Sequence, residues 1–99
     1  MSISANEVAR ASAVRATIGD ESVLVELSDG RTITVPISWY PRLERASQSE
    51  REQWELIASG AGIHWPAVDE DISVEALLAG RRSSESDASL ARWLNGRSV

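Results

Sequence analysis

Residues 23–36 read VLVELSDGRTITVP, and the pattern of this stretch decides the fold. Apolar and polar residues alternate on both sides of its DG dipeptide, which is typical of two half-buried antiparallel strands joined by a tight turn. A two-residue loop would pair Val25 with Thr34 and set an apolar side chain against a polar one. A three-residue SDG loop instead pairs Val25 with Ile33, which buries one uniformly apolar face. We therefore predict this register, with Gly30 in the left-handed position of a type I turn followed by a bulge.

The alternation extends on either side of this hairpin. A preceding strand carries its apolar residues at every second position, namely Val14, Ala16 and Ile18. Pro36 has no backbone N–H to donate, so the third strand ends there or lies at the edge of the sheet. Residues 63–66, IHWP, are typical of a further short extended segment closed by proline. The sequence therefore predicts a small three- to four-stranded antiparallel sheet with one buried face.

Short helices are predicted to flank this sheet. Pro41 suits the first turn of a helix that Ser38 would cap. Ser47 and Glu50 form a capping box, which predicts a second helix through about Ala58. The inward face of that helix would hold Trp54, Ile57 and Ala58, and its outward face would hold Arg51 and Glu55.

Three further helices are predicted nearer the two ends of the chain. Ser4 and Glu7 fit a capping box that opens a short helix to about Ala11. A helix over residues 73–79 would turn Val74, Leu77 and Leu78 inward and be capped at its C-terminus by Gly80. A terminal helix would run from about Asp87 to Asn95, where the Asn95-Gly96 pair ends it.

The domain organisation follows from length and composition. A chain of 99 residues that is 42% apolar can bury a single core. We predict the α+β class, with one domain over residues 1–80. Residues 81–99 would be a polar linker and a C-terminal helix, which do not form an independent domain.

The composition also excludes several kinds of chemistry. There is no Cys, no Lys and a single His, which excludes disulfides, Schiff-base catalysis and a multi-His metal site within one chain. No apolar run is long enough to span a membrane and no secretory signal is recognisable, so we expect a cytoplasmic protein. Residues 1–80 hold six Arg against thirteen acidic residues, a formal charge of -7, whereas residues 81–99 hold four Arg against two, a charge of +2. The negative charge of residues 1–80, called the body below, opposes binding to nucleic acid and is complementary to a partner with a basic surface.

Three stretches together resemble a known family. They are DGRTITVP at residues 29–36, WYPRL at 39–43, and GIHWP followed by DEDIS within residues 62–73. As a set they resemble the small bacterial family called domain of unknown function 2442 (DUF2442), over about residues 13–80. The resemblance implies a small α+β fold with an antiparallel sheet, and a gene that neighbours a second small gene in an arrangement similar to a toxin–antitoxin pair. Some relatives carry a C-terminal helix-turn-helix domain, for which residues 81–99 are too short.

His64 and the acidic run Asp69-Glu70-Asp71 form a first candidate site. A histidine with carboxylates can ligate a divalent metal, or it can act as a general base tuned by an acid. The structural alternative is a turn in which Asp71 caps the helix that begins near Ser73. We favour the turn, and we expect no catalytic residue and no cofactor. Should a metal bind, its ligands would be His64, Asp69 and Asp71.

Aromatic residues and the terminal helix supply the candidate interaction surface, because Trp and Tyr are favoured at binding hot spots. The candidate interaction residues are Trp39, Tyr40, Arg42, His64, Trp65, Leu90, Trp93 and Leu94. The chain lacks Phe, so Trp54 and Trp65 are also expected to supply aromatic bulk to the core. Arg42 would pair with an acid of the body or with a group of a partner. The stripe on the terminal helix can pack on its own body, on a second copy in a homodimer, or in the groove of a partner.

These observations favour a non-enzymatic protein-interaction module whose partner has a basic surface. The resemblance adds the role of the antitoxin-like member of a two-gene pair. The alternative is an enzyme or a metal-dependent site around His64 and residues 69–71. A second alternative is a DNA-binding regulator that uses the arginines of the tail, although few arginines in such a segment give weak, salt-sensitive binding.

Overall fold

The computed structural model describes residues 11–97, and these residues form two three-stranded antiparallel sheets with short helices. The first sheet contains β1 (Ala13–Ile18), β2 (Ser22–Leu27) and β3 (Thr32–Pro36), and the second contains β4 (Glu55–Ile57), β5 (Gly62–Trp65) and β6 (Glu70–Ser73). The helices are α1 (Pro41–Glu44), α2 (Gln48–Arg51), α3 (Val74–Leu78) and α4 (Asp87–Arg97). The predicted α+β class is confirmed. The helix predicted from the Ser4 and Glu7 capping box lies outside the described residues.

The first hairpin has the predicted register. Val25 pairs with Ile33, and Val23 pairs with Val35. Gly30 has a φ of 91°, and its amide donates to the carbonyl of Leu27 at 3.1 Å, which closes the three-residue loop. The third strand lies at the edge of its sheet and ends at a proline, as the missing amide proton requires.

Replacing Gly30 with valine is expected to lower the free energy of unfolding by about 1.5 kcal/mol, because an L residue is strained at positive φ. A Cβ at this position would meet no atom within 4 Å, so backbone strain and not crowding sets the cost. Urea unfolding measures the change. Gly96→Ala is the control, since Gly96 lies in α4 with open space around it and alanine favours a helix. An unchanged midpoint for Gly30→Val would contradict the predicted role of the turn.

The apolar face of β1 differs from the prediction at one position. Val14 was expected to face inward, but it is 51% exposed. The register between β1 and β2 shifts between Ala13 and Arg15, as in a β-bulge, and this irregularity turns Ala13 inward instead. Ala16 and Ile18 are buried as predicted.

The helix predicted through Ala58 is wrong beyond Arg51. The capping box of Ser47 and Glu50 is present, but α2 spans four residues and the chain then extends into β4. The predicted faces hold only in part: Arg51 is buried and Ile57 and Ala58 are exposed against the prediction, whereas Glu55 is exposed and Trp54 is half-buried as predicted. The indole N–H of Trp65 donates to the Arg51 carbonyl at 3.1 Å, and β4 gains the strand pairing with β5. Tertiary contacts therefore override a local helix signal.

Two further cap predictions need correction. Ser38 does not cap α1, because Tyr40 holds the N-cap position and makes no side-chain cap bond. Asp71 does not cap α3, because Ser73 does so by accepting from the Ala76 amide at 3.0 Å. The acidic run predicted as a turn instead enters strand β6 at Glu70.

The predicted end of α3 is confirmed, whereas that of α4 is wrong. Gly80 has a φ of 71° just after α3, and its amide donates to the Leu77 carbonyl. Leu78, predicted to face inward, is exposed. Helix α4 continues through the predicted Asn95-Gly96 end to Arg97. Among the described residues, no helix is long and apolar enough to cross a membrane.

The core lies between the inner faces of the two sheets and the short helices. Trp65 is fully buried as predicted, and Trp54 is half-buried against the core. Strand pairing sets Ile63 opposite Ile72 and Trp65 opposite Glu70. Cross-strand partners share a face, so Glu70 lies on the same inward face as the two isoleucines and the tryptophan. Glu70, the inward-facing carboxylate of β6, belongs to the candidate site.

Candidate functional site

The C-terminal segment meets the body at Arg42 of α1. The Arg42 guanidinium forms an ion pair with Glu85, in which Nη2 donates to the second carboxylate oxygen at 3.4 Å. Its Nη1 also donates to the Val68 carbonyl at 3.2 Å. Hydrogen bonding to Arg42 lowers the pKa of the Glu85 carboxyl and raises the pKa of the guanidinium. One side chain therefore joins α1, the loop before β6 and the linker.

The terminal helix is held by further cation contacts. The Trp93 ring has the Arg97 guanidinium at 4.6 Å from its centroid and that of Arg42 at 5.1 Å. Arg97 also forms an ion pair with Glu50 at 2.7 Å, and this contact lowers the pKa of the Glu50 carboxyl. The second half of α4 is thus held against the body although none of the side chains of this helix is fully buried.

The linker contacts Trp39, one of the aromatic residues predicted from the sequence to form an interaction surface. The Arg82 guanidinium lies 5.1 Å from the centroid of Trp39, and the Ser83 amide donates to the Trp39 carbonyl at 3.0 Å. The linker therefore covers Trp39, while Trp93 of the predicted interaction helix contacts Arg42 and packs against the core of the same chain. Of the three packing arrangements considered for that helix, this is packing on its own body.

Replacing Glu85 with glutamine is expected to weaken the attachment of the linker and α4 to the body, because the half-buried Arg42 guanidinium would lose a charged partner. Limited trypsin digestion measures the effect, since Arg81 and Arg82 lie exposed in the linker. We expect cleavage there to accelerate about threefold to tenfold. Glu26→Gln is the control, because it removes an exposed ion pair on the first sheet. Equal cleavage rates in both variants would contradict an anchoring role for Glu85.

Among the carboxyl groups of the described residues, Glu70 has the most strongly shifted pKa. Burial raises its pKa from 4.5 to about 7. The Asp71 amide, which donates to it at 3.2 Å, and the Arg42 guanidinium oppose that rise, whereas the carboxylates of Glu85 and Asp71 add to it. Such a carboxyl can take up or release a proton near neutral pH.

Tyr40 adds a second unusual group beside Glu70. Its side chain is buried, and its hydroxyl makes no hydrogen bond to any other described residue. Burial, together with the charge of Glu70, raises the pKa of the Tyr40 phenol. The phenol therefore remains protonated at neutral pH.

Two clefts border Glu70. The larger, of about 370 Å³, has Arg42, Glu70, Glu85 and Ser89 among its lining residues. The smaller, of about 290 Å³, is lined by Tyr40, Glu70 and the linker residues 81–84, among others. Both clefts lie between β6 and residues 81–89, which are the linker and the start of α4. This arrangement can hold charged or hydrogen-bonding groups, and it would open if the tail moved.

His64 lines neither cleft, although its partner Asp71 is among the residues that line the smaller one. His64 of β5 faces Asp71 of β6 across the strand pair, and Nδ1 is hydrogen-bonded to the Asp71 carboxylate. That bond raises the pKa of the His64 imidazole, with smaller contributions from the charges of Asp71, Glu55 and Asp69. The Asp69 carboxylate approaches Arg42 at 4.0 Å. Residues 11–97 contain no group of three or more His, Cys, Asp or Glu side chains placed to hold a metal ion.

The structure thus divides the predicted interaction residues. Trp39, Tyr40, Arg42 and Trp93 come together where the tail meets the body, and Leu90 and Leu94 are half-buried on α4. His64 lies apart from this group, and Trp65 is inside the core. Sequence reasoning missed Glu70 as a half-buried group on the inward face of β6 and Glu85 as the partner of Arg42. The period-two pattern of residues 70–73 could have indicated the first, but no local pattern indicates the second.

Comparisons with known proteins agree with this fold. The family model described as "Protein of unknown function (DUF2442)" matches residues 11–83. A crystal structure of a protein of unknown function from Rhodospirillum rubrum is 30% identical, with a TM-score of 0.65 over 80% of this chain and 95% of that one. A solution structure of an uncharacterized protein from Chromobacterium violaceum is 20% identical, with a TM-score of 0.63 over 82% of this chain and 74% of that one. No curated protein matches the chain.

Proposed function

This chain belongs to the DUF2442 family, and from that premise we propose that it is a non-enzymatic module that binds a basic protein partner in the cytoplasm. The observation that carries the proposal is the distribution of charge after internal pairing. Surface charges that are not used within the chain are the ones available to a partner, and they set both its sign and its rate of encounter.

Most arginines are already engaged. Six of those in residues 11–97 form ion pairs with carboxylates of the same chain: Arg15, Arg31, Arg42, Arg51, Arg81 and Arg97. Six carboxylates in the same range form no ion pair: Glu21, Glu44, Glu52, Glu55, Glu70 and Asp87. All of these except Glu70 are exposed. The three arginines without an ion pair, Arg45, Arg82 and Arg92, do not offset them, so the available charge is negative.

An antitoxin-like role fits this surface. The partner would be the product of a neighbouring gene, as in two-gene pairs, and the acidic module would act by covering a basic functional surface of that product. Attraction between the two surfaces would accelerate encounter at low salt and weaken as salt screens it. The ion pairs of Arg81 and Arg97 within the chain also give less support to a DNA-binding role. Residues 11–97 hold no group of three His, Cys, Asp or Glu side chains placed for a metal ion, which gives less support to a metal site.

Co-expression with the adjacent gene product tests the proposal. We expect a complex that is recovered at low salt and is largely lost at about 0.5 M salt. We also expect the neighbouring product alone to slow growth and this chain to restore it. Failure to recover a complex at low salt would overturn the binding role. A complex without any effect on growth would overturn the antitoxin-like role and retain the binding role.

A further inference from the structure

The outer edge of β4 is an unpaired strand edge. The strand lies at the end of the second sheet and pairs on one side with β5. Among the described residues, no other backbone group hydrogen-bonds to Glu55–Ile57. All three residues are exposed, with Leu56 at 43% and Ile57 at 37%. A strand edge of this kind presents free backbone donors and acceptors to an added strand.

Apolar side chains stand on both faces of this edge. Leu56 is paired with the fully buried Ile63, so it continues the core face of the sheet out to the rim. Ile57 lies on the opposite face over Gly62, where a Cβ would meet the isoleucine side chain at 3.1 Å. An added strand could therefore cover apolar surface on either face as well as make backbone hydrogen bonds.

The charges at this edge favour a basic strand over a second copy of β4 as the binding partner. Glu52 and Glu55 are exposed, form no ion pair within the described residues and stand just before and within β4. Opposite Glu55, the His64 imidazole is already bonded to Asp71. A second copy of β4 would bring the same two glutamates against this edge, and like charges oppose such pairing. A strand that carries Arg or Lys meets complementary charge instead.

We propose that the β4 edge, residues 52–57, binds an extended basic segment of the partner as a fourth strand of the second sheet. The inference rests on the proposed function and names the surface and the kind of segment it uses. The bound segment alternates basic and apolar residues. Its basic residues lie on the face that Glu55 shares with Ile57, near Glu52, and its apolar residues cover Leu56 on the other face. Backbone hydrogen bonds supply affinity, and the alternate side chains supply specificity.

A synthetic heptapeptide with the sequence TRVRVRT tests this inference directly. We expect it to shift the NMR signals of residues 55–57 and to slow hydrogen exchange of amides at this edge. A version with N-methyl groups on alternate residues keeps the charge but cannot form the ladder, and we expect it to bind at least about tenfold more weakly. Equal binding of the two peptides would overturn strand addition.

Two charge-reversal variants locate the site. Glu52→Lys with Glu55→Lys is expected to weaken peptide binding about tenfold. The matched control, Glu21→Lys with Glu44→Lys, makes the same change in net charge at other exposed, unpaired glutamates and is expected to have less than about a threefold effect. Equal losses in both variants would overturn the site, as would self-association of the unmodified chain through β4 in sedimentation experiments.

The same variants separate this inference from the proposed function. If the adjacent gene product still binds the Glu52→Lys, Glu55→Lys variant as tightly as the unmodified chain, the β4 edge is not the docking surface, although the chain remains a binding module. If that product binds neither form at low salt, the proposed function itself is overturned, whatever the peptide does. Loss of binding in the β4 variant alone supports both.

Discussion

Replacing Arg51 with methionine is expected to lower the free energy of unfolding by about 3 kcal/mol. The Arg51 side chain is 8% exposed although it carries a full charge. Its Nε donates to the Leu43 carbonyl at 3.0 Å and its Nη2 donates to the Glu44 carbonyl at 3.0 Å. Methionine fills a similar apolar volume but cannot donate, so both carbonyls at the end of α1 would lose their charged partner.

The same guanidinium also contacts Asp20, and this contact separates two explanations. Its Nη1 lies 3.0 Å from an Asp20 carboxylate that is 95% exposed, and exposed ion pairs contribute about 0–1 kcal/mol. We therefore expect Asp20→Asn to cost less than about 0.5 kcal/mol. Urea unfolding of both variants measures the difference. Equal losses would show that the ion pair, and not the two buried carbonyl bonds, carries the role of Arg51.

Arg51 also shows that the sequence predicts the start of α2 but not its length. The capping box before it predicts a helix start, and that prediction is confirmed. The length of the helix depended on residues far away, because Trp65 bonds the Arg51 carbonyl and β5 pairs with β4. A charged residue early in a predicted long helix is expected on the outside. Once the helix stops after one turn, the same residue lies between α1 and the first sheet.

The first hairpin could be predicted because its evidence is local. Alternation, a DG dipeptide and the requirement for a uniformly apolar face were sufficient to fix the pairing of Val25 with Ile33. The second sheet could not, because β4 is three residues long and the acidic start of β6 is typical of a turn. Short strands of this kind are specified by the partners they pair with rather than by their own propensities.

The candidate site was predictable in parts. Trp39, Arg42 and Trp93 were identified from residue type and position, but their mutual contact depends on the path of the linker. Arg42 was expected to pair with an acid of the body, and it does approach Asp69 at 4.0 Å, but its closer partner Glu85 lies in the linker. Ion pairs between residues so distant in sequence leave no periodic signal. Only the fold shows which acid is close enough.

Replacing Glu70 with glutamine is expected to stabilise the protein by about 2 kcal/mol at pH 8 and to leave its stability at pH 4 nearly unchanged. Burial raises the pKa of the Glu70 carboxyl from 4.5 to about 7, so folding favours the protonated form. The stability that this preference contributes is complete below pH 4.5 and is lost as the pH rises through about 7. The full shift would correspond to about 3 kcal/mol, and partial exposure of the group reduces it.

Glutamine isolates this effect because it keeps the size and hydrogen-bonding oxygen of the protonated acid without its charge. His64 must be separated from Glu70, since the Asp71 carboxylate raises the pKa of the His64 imidazole and its stabilising contribution is also lost as pH rises. Urea unfolding between pH 4 and pH 8 is therefore compared for Glu70→Gln, for His64→Gln and for the unmodified chain. We expect the decline over pH 4.5–7 to flatten in Glu70→Gln and to persist in His64→Gln. A Glu70→Gln variant that still loses the same stability as the unmodified chain over this interval would show that the Glu70 carboxylate is charged throughout, and that the Arg42 guanidinium beside it compensates fully for its burial.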